Sequence, residues 1–547
     1  MSNNEIKPVF SGKTTAYRII SVCALLFMAL FMTVFASKQS FWLDELDWMI
    51  GIITGKSVFN NKIFTGMFQI LLEQGYNLPL YYLIEIPFYY LLPYGETFLL
   101  IPSIVFVILG IAILSRAGKL IGGEDIGFFT LCVSVTSSTL IIQGGWEIRP
   151  YSISFCFSAL TFLMFIKRLQ VETKKNIACY GMALLLLLYS HWFGSILAIF
   201  YGFTDLYLCI KKKISFKCLL AYMFAGMLFL PWFCLMVFHH ANDLGDYWAQ
   251  IPRIIEPVLT IRYLLSNTVT YCLLFAAGFF IITIRWIQVR HKARPLTVSI
   301  WLFMIAGIIW TIVPIFIYSR FINRSGSFYV SRYFFVIMPF VFLIVAYTIS
   351  EIYAPIVHVQ SNRKKQIFYV VIILWFCFIG FQNYRRAYLN ITAIHEPYRE
   401  TAEYVSKDRR IYEDDSLILS SSGSAWIEYY FNKRGYTIPC NVAVYTKKYQ
   451  TVNIFITGGV YREPLALTED QLLTYKHLYL FEVHECFPEE YMRNIEKNYP
   501  LLEEIPGFSP APLVSSGLAT LVKNTLGLSN PQAPAPVPFG LRLYSRQ

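Results

Sequence analysis

Charge is scarce in this sequence. Asp, Glu, Lys and Arg make up 15% of its 547 residues, where a soluble domain carries about a quarter. That shortage excludes an ordinary water-facing surface for most of the chain. Cysteine chemistry is equally thin. None of the eleven cysteines forms a CxxC pair, and nine lie in or beside apolar runs, where they read as small hydrophobes. There is no internal repeat of the kind that builds the paired broken helices of transporters. A single basic patch is also missing. The net charge is +12, but Lys and Arg fall in short clusters between apolar runs. Membrane topology and anionic leaflets select that distribution, and it excludes nucleic acid as a partner.

Apolar length is abundant. Hydrophobic residues reach 56%, aromatics 17%, and mean hydropathy is +0.50. A bilayer-crossing helix needs about 17–25 predominantly apolar residues. Eleven segments qualify: 17–37, 97–115, 126–143, 150–166, 176–192, 194–210, 218–238, 263–284, 296–319, 331–353 and 366–383. The first is long for a signal-peptide core and reads as an uncleaved anchor behind a short polar N-terminus, 1–16. Segment 80–92 is too short to cross and carries Glu85 and Pro87, so it reads as an interfacial or re-entrant helix.

With that assignment, twenty Lys and Arg fall on the side of the N-terminus, against nine in the opposite loops as far as Arg332. The positive-inside rule places the N-terminus in the cytoplasm and everything after residue 383 outside. The expected location is therefore the cell (inner) membrane, multi-pass, with the C-terminal domain extracytoplasmic.

From residue 384 the composition turns polar. Strand-like runs at 416–419, 437–445, 452–456 and 477–481 alternate with helix-like stretches at 398–406 and 424–432. The expected fold class is thus an all-α polytopic membrane domain over 17–383 with about eleven transmembrane helices. Its first outer loop is 38–96, and an extracytoplasmic α/β domain follows over 384–547. The Pro-rich stretch 531–538 reads as extended and loosely held. Cys440 and Cys486 fall in the outer domain, where an oxidising compartment would permit pairing.

Unusual polar residues gather on the outer ends of the spans. Asp44, Glu45 and Asp47 follow the first. Glu147, Arg149 and Tyr151 stand at the third and fourth, His191 at the fifth, Arg262 at the eighth, and Arg332 with Tyr333 at the tenth. Ionisable groups at membrane depth are costly and usually line a cavity or face a partner. Plainer uses exist for each. Asp44 and Asp47 fit a helix N-terminus, Glu147 and Arg149 can pair, His191 can bond within the fold, and Arg332 can bind headgroups. Asp205, inside the sixth span toward the cytoplasmic end, fits no part of this pattern.

These residues occur in a recognisable order. Asp44-Glu45 follows the first span, and Asn77-Leu78-Pro79-Leu80-Tyr81-Tyr82 opens the interfacial helix. Pro102-Ser103, Glu147-Ile148-Arg149-Pro150-Tyr151, Tyr189-Ser190-His191 and Ser331-Arg332-Tyr333 come next, then Pro397-Tyr398-Arg399-Glu400. The set resembles the GT-C superfamily of membrane glycosyltransferases, in particular the protein mannosyltransferase and aminoarabinose transferase relatives of glycosyltransferase families 39 and 83. The chain departs from their pattern at Asn77-Leu78, where His or Lys and Pro are usual, and at Leu100, where Arg is usual.

The resemblance implies a polyprenyl-phosphate-linked sugar donor and a glycan, lipid or protein acceptor. In that scheme Asp44 is the base that takes the acceptor proton. Glu45 and Glu147 assist it. Arg149, Arg262 and Arg332 bind phosphate, and Tyr151, His191 and Tyr333 contact phosphate or sugar. Direct displacement inverts the sugar. No cofactor is required, although Asp44-Glu45 beside phosphate could recruit a divalent cation. The alternatives are a transporter or flippase of lipid-linked saccharides, a lipid-linked saccharide polymerase or ligase, and a non-catalytic envelope scaffold. The topology has a direct test. An alkaline phosphatase reporter, active only outside the cytoplasm, is expected to be active when fused after Gln547. A cytoplasmic reading there would refute the outward-facing site.

Overall fold

The computed structural model describes residues 11–36, 45, 78–91, 96–240, 249–289, 296–323, 327–359, 362–392, 398–420, 427, 429–431, 441–446, 451–456, 465–467, 472–483, 487, 489–505 and 539–545. They fall into two compact units. The first takes in the described residues of Met1–Ala36, Leu71–Phe88 and Thr97–Leu389, and the second those of Ser37–Ile70, Tyr89–Glu96 and Asn390–Gln547.

In the first unit, α1 (Ser11–Phe35) is followed by the short α2 (Pro79–Leu91) and a forty-residue helix, α3 (Glu96–Val135). Next come α4 (Tyr151–Gln170), α5 (Lys174–Ser190), α6 (Trp192–Ile210), α7 (Leu220–His240), α8 (Glu256–Leu264) and α9 (Val269–Val289). The unit closes with α10 (Leu296–Ile317), α11 (Met338–Val359) and α12 (Asn362–Thr392). A helix falls on each of the eleven expected segments. Among the described residues, eight helices are long and apolar enough to cross a membrane by length and composition. The number is lower than eleven partly because α3 counts once although it covers two segments, and because α5 has only 17 residues. The helix α2 has 13 residues, short of a crossing, as its sequence required.

The bend in α3 shows why it covers two segments. Gly123 has φ +87°, a conformation that side chains disfavour, and a Cβ there would meet nothing. Glycine is needed at that position for the backbone alone. The two limbs then fold back closely. Ser115 donates to Gly127 O at 2.8 Å, and a Cβ on Gly127 would stand 2.9 Å from Ser115 O.

Burial orders the bundle. Most of α1 is not buried, whereas Ser331–Ala354, which runs into α11, is buried almost throughout. Ile19, Leu26 and Leu30 of α1, Met223 and Met227 of α7, and Phe280 and Ile284 of α9 are exposed, which suits a lipid-facing rim. Between α8 and α9, Ser266 and Asn267 take φ of 59° and 55°. This left-handed turn is costly for residues with a Cβ. Ser266 Oγ shares a hydrogen bond with Ser137 Oγ at 2.8 Å and accepts from Thr139 N at 3.1 Å, and its carbonyl accepts from Arg386.

Asp205 finds its explanation here. Arg168 Nη2 donates to Asp205 Oδ1 at 2.6 Å, with both side chains at 0% exposure. Tyr222 donates to Asp205 Oδ2 at 2.8 Å and shares a hydrogen bond with Tyr180 at 2.5 Å. The Arg168 guanidinium also lies 4.6 Å from the Tyr180 ring centroid. One of the twenty residues counted as cytoplasmic charge is therefore interior to the bundle, joining α4, α5, α6 and α7.

The second unit carries a seven-stranded sheet. Its helix α13 (Tyr398–Val405) leads to β1 (Ser416–Ser420), β2 (Asn441–Thr446), β3 (Thr451–Ile456), β4 (Leu465–Leu467) and β5 (His477–Val483). Then come α14 (Glu489–Asn498), β6 (Leu501–Ile505) and β7 (Phe539–Ser545). The strand order is β4-β3-β2-β1-β5-β7-β6, with β1 parallel to β2 and β5 and every other pair antiparallel. Leu417, Leu419, Leu478 and Leu480 pack with Phe487, Met492, Ile495 and Tyr499 into its core. The sequence anticipates β1, β2, β3 and β5. It misses β4, which is three residues long, and β6, whose Glu503 and Glu504 break the apolar pattern. It also misses β7, which follows the Pro-rich stretch and pairs with β5 over seven residues. Of the expected helix at 424–432, Ile427 and Tyr429–Phe431 are helical. Residues 531–538, Cys440 and Cys486 lie outside the described residues.

The interior ion pair makes a prediction about stability. Arg168→Met strands the Asp205 carboxylate and should destabilise the protein by about 3–5 kcal/mol, whereas Arg168→Met with Asp205→Leu should recover much of that loss. Thermal unfolding of the purified protein in detergent, followed by size exclusion, measures both.

Candidate functional site

The polar residues of the first unit that the sequence places at the outer ends of spans are positioned by breaks in helices. After α3, a π-helical turn (Leu140–Gly145) leads into an irregular stretch that ends at Pro150, and α4 begins at Tyr151. Local π segments recur at functional sites because they re-aim side chains. Several bonds pin this stretch. Trp146 Nε1 donates to Met32 O at 2.8 Å. Ser103 Oγ donates to Glu147 O at 2.9 Å and shares a hydrogen bond of 2.7 Å with Tyr81. The backbone at Glu147 is thus held by α2 and α3 together, with α1 fixing its neighbour.

His191 occupies the joint between α5 and α6 in extended conformation, φ −161° and ψ 148°. Its Nδ1 accepts from Phe193 N at 3.3 Å, so the imidazole caps α6. Arg332 and Tyr333 sit in a 3₁₀ turn (Ser331–Ile337) that enters α11. Ser331 and Tyr329 each share a hydrogen bond with Thr260 of α8, at 3.0 and 2.9 Å.

These pieces converge. The ring of Tyr333 lies 5.2 Å from His191 and 6.4 Å from Tyr151, and Tyr151 lies 6.2 Å from His191. Phe193 and Phe335 extend the aromatic group, 5.7 Å from Tyr333 and 5.6 Å from Tyr151 respectively. Among these rings stand the charges. Arg332 is attracted by Glu147 and repelled by Arg149, and Arg149 also acts on His191. Glu147 and Tyr151 are buried, while Arg149, His191, Arg332 and Tyr333 are half-buried. Among the described residues, two guanidiniums stand near one carboxylate, and guanidiniums suit an anion with several oxygens.

Six of the nine residues to which the resemblance gives a role therefore meet: Glu147, Arg149, Tyr151, His191, Arg332 and Tyr333. Asp44 lies outside the described residues. Glu45 is a buried helical residue of the other unit. Arg262 is exposed on α8, and its charge acts on Arg386 and Cys272. The next residue, Tyr263, interacts with Glu147, Tyr151 and Arg332 instead. One helical step turns a side chain by about 100°, which separates these two neighbours.

Two residues of the quoted motifs, given no role from the sequence, contribute to the site. Tyr81 and Ser103 hold Glu147 through bonds that join distant segments. Glu85, one turn beyond Tyr81, is buried at 3% exposure, and burial pushes its carboxyl well above the ordinary carboxylate range. A hydrogen bond with Tyr81 acts in the opposite sense. One group among the described residues has donor atoms placed to hold a metal ion, namely Glu413, Asp415 and His477 in the second unit.

No family model matches the sequence, and no curated protein matches it significantly. Solved structures do match. ArnT from Cupriavidus metallidurans, an aminoarabinose transferase, aligns in its apo state over 89% of this chain and 96% of its own, with 11% identity and a TM-score of 0.53. The same protein bound to undecaprenyl phosphate aligns over the same shares with 10% identity and a TM-score of 0.56. The oligosaccharyltransferase of Archaeoglobus fulgidus aligns over 95% of this chain and 88% of its own, with 11% identity and a TM-score of 0.47. A multi-pass helical unit with a C-terminal sheet-bearing unit, matched to ArnT along almost its whole length, is the GT-C fold.

Proposed function

We propose that this protein is a glycosyltransferase of the outer membrane face. It moves a sugar from a polyprenyl-phosphate carrier to an acceptor hydroxyl, with inversion. The observation that carries the reading is the aromatic-lined cluster of Arg149, Arg332 and Glu147. The cluster stands at the Tyr151 end of α4, and Lys167 stands in the last turn of the same helix, with Lys174 and Lys175 following at the start of α5. If the Lys-rich ends face the cytoplasm, the cluster faces outward.

The chemistry follows from the groups. A sugar phosphate already has a weakly basic leaving group, so no general acid is needed. Arg149 and Arg332 stabilise the charge that develops on the departing phosphate, as paired guanidiniums do for phosphate oxygens. Tyr151, Tyr263 and Tyr333 offer ring faces and hydroxyls to the sugar, and His191 offers an imidazole held by its bond to Phe193. Asp44 at the end of the first span takes the acceptor proton. Glu45 and Glu147 orient the acceptor, and Asp44-Glu45 is where a cation would join them. Within this reading, 17–383 is the catalytic membrane domain, 38–96 its first outer loop and 384–547 the outer domain. ArnT bound to undecaprenyl phosphate is a protein of this fold with a polyprenyl phosphate in place. A flippase would place its charges near the bilayer midplane on repeated broken helices, whereas these charges gather at helix ends.

Two sets of variants test the reading in membranes holding equal amounts of protein, with transfer from a radiolabelled polyprenyl-phosphate sugar as the readout. Asp44→Asn keeps the capping oxygen and loses the base, so the rate should fall by about 10²–10⁴ with normal expression. Glu45→Gln should cost less. Wild-type turnover by Asp44→Asn would move the base to Glu147.

Arg332→Lys keeps charge but loses the planar fork. It should lower kcat/KM for the lipid donor by about 10–100-fold, the worth of one charge-assisted hydrogen bond at ~1.5–3 kcal/mol. Arg262→Lys, at an exposed position, should leave it near wild type.

A further inference from the structure

The sheet of the second unit holds a side-chain group that the transfer chemistry does not use. His477 is the first residue of β5 and lies opposite Ser416 in the parallel ladder with β1. Glu413 and Asp415 stand in the turn that enters β1. Backbone bonds fix that turn to β5. Ser416 N donates to Glu413 O at 3.0 Å, and Asp415 O accepts from Lys476 N at 2.6 Å and His477 N at 3.2 Å. The two carboxylates and the imidazole are therefore carried on backbone that is already tied together.

The imidazole is set for a ligand. Its side chain is 8% exposed. Nδ1 shares a hydrogen bond of 2.9 Å with Ser545 Oγ of β7, which fixes the ring. The other nitrogen, Nε2, faces the Glu413 carboxylate across 3.7 Å. That gap is too long for a hydrogen bond. It is close to the ~3.4 Å that separates two ligands of a tetrahedral zinc, whose bonds to nitrogen and oxygen are about 2.0–2.2 Å. One donor atom from each of Glu413, Asp415 and His477 lies within 4.8 Å of the others. The Glu413 side chain is 54% exposed and free to swing inward by the remaining distance. A ring nitrogen bonded to a hydroxyl, with the second nitrogen aimed at carboxylates, is the arrangement that orients metal-binding histidines.

We propose that Glu413, Asp415 and His477 form a divalent transition-metal site, best suited to zinc, that ties β1, β5 and β7 together. An imidazole with two carboxylates suits zinc better than calcium or magnesium, which prefer oxygen alone. Three protein ligands leave a fourth position for water. The site is independent of the transferase reading and stands or falls without it.

The test uses the full chain, purified in detergent with its affinity tag removed and stripped with EDTA. Zinc chloride is titrated by calorimetry, and unfolding temperature is followed with and without one equivalent of zinc. The expected result is saturable binding of one zinc with a rise in unfolding temperature. Glu413→Gln and Asp415→Asn should each weaken binding at least tenfold and abolish the rise. Ser545→Ala, which removes only the hydroxyl on Nδ1, should weaken binding about 10–100-fold. His477→Gln should remove saturable binding. If that buried substitution unfolds the domain, the exposed Glu413→Gln decides alone. Absence of saturable binding in the wild type overturns the proposal. Wild-type affinity in Glu413→Gln overturns it equally, leaving the group as an ordinary His–Glu contact.

Discussion

The hydrocarbon core of a membrane contains no water, so every polar group at that depth must find a partner inside the protein. The helical unit is organised around that demand. Asn383 Nδ2 donates to Thr136 O at 2.7 Å, Thr136 shares a hydrogen bond with Tyr271 at 2.6 Å, and Ser158 donates to Val336 O at 2.5 Å. Each bond ties helices far apart in the chain. The Arg168–Asp205 pair is the extreme case, since two charges are retained with no solvent exposure and two tyrosine hydroxyls join their network. Such bonds constrain register more than they add stability, because separated polar groups at that depth are costly.

The same constraint shapes the candidate site. Positive charge collects where helices break, at the π turn before Glu147, at the extended His191 and at the 3₁₀ turn of Arg332. Helix breaks leave backbone groups without ladder partners, and they are tolerated where side chains or a cavity can satisfy them. Here Ser103, Tyr81 and the His191 ring supply partners. The rings of Tyr151, Tyr333, Phe193 and Phe335 form an aromatic group at the same place, and the charges of Arg149, Arg332 and Glu147 act on Tyr151. The sheet-bearing unit follows the ordinary rules of a soluble core, with apolar strands at its centre and the more polar strand β6, irregular at Leu501–Glu503, at one edge.

Sequence alone determined the class of this protein and much of its layout. Apolar length is a local property, and it located the helices, the short α2 and the change of composition near 384. Strand patterning located β1, β2, β3 and β5, whose runs are continuous. Charge bias gave an expectation for the side the polar residues face, and their order pointed to a GT-C likeness that the fold shares. Tertiary structure alone decided which of those residues meet. Glu147, Arg149, Tyr151, His191, Arg332 and Tyr333 come from three separate stretches of chain, and only the packing of α4, α5, α6 and α11 brings them together. Tyr263 joins them and Arg262 does not, because a turn of one residue on a helix changes which face is presented. Arg168 passed for a headgroup charge until its partner 37 positions away was placed beside it. The strand β7 was hidden because its pairing partners are distant in sequence, and a strand's stability lies in its neighbours rather than in its own residues.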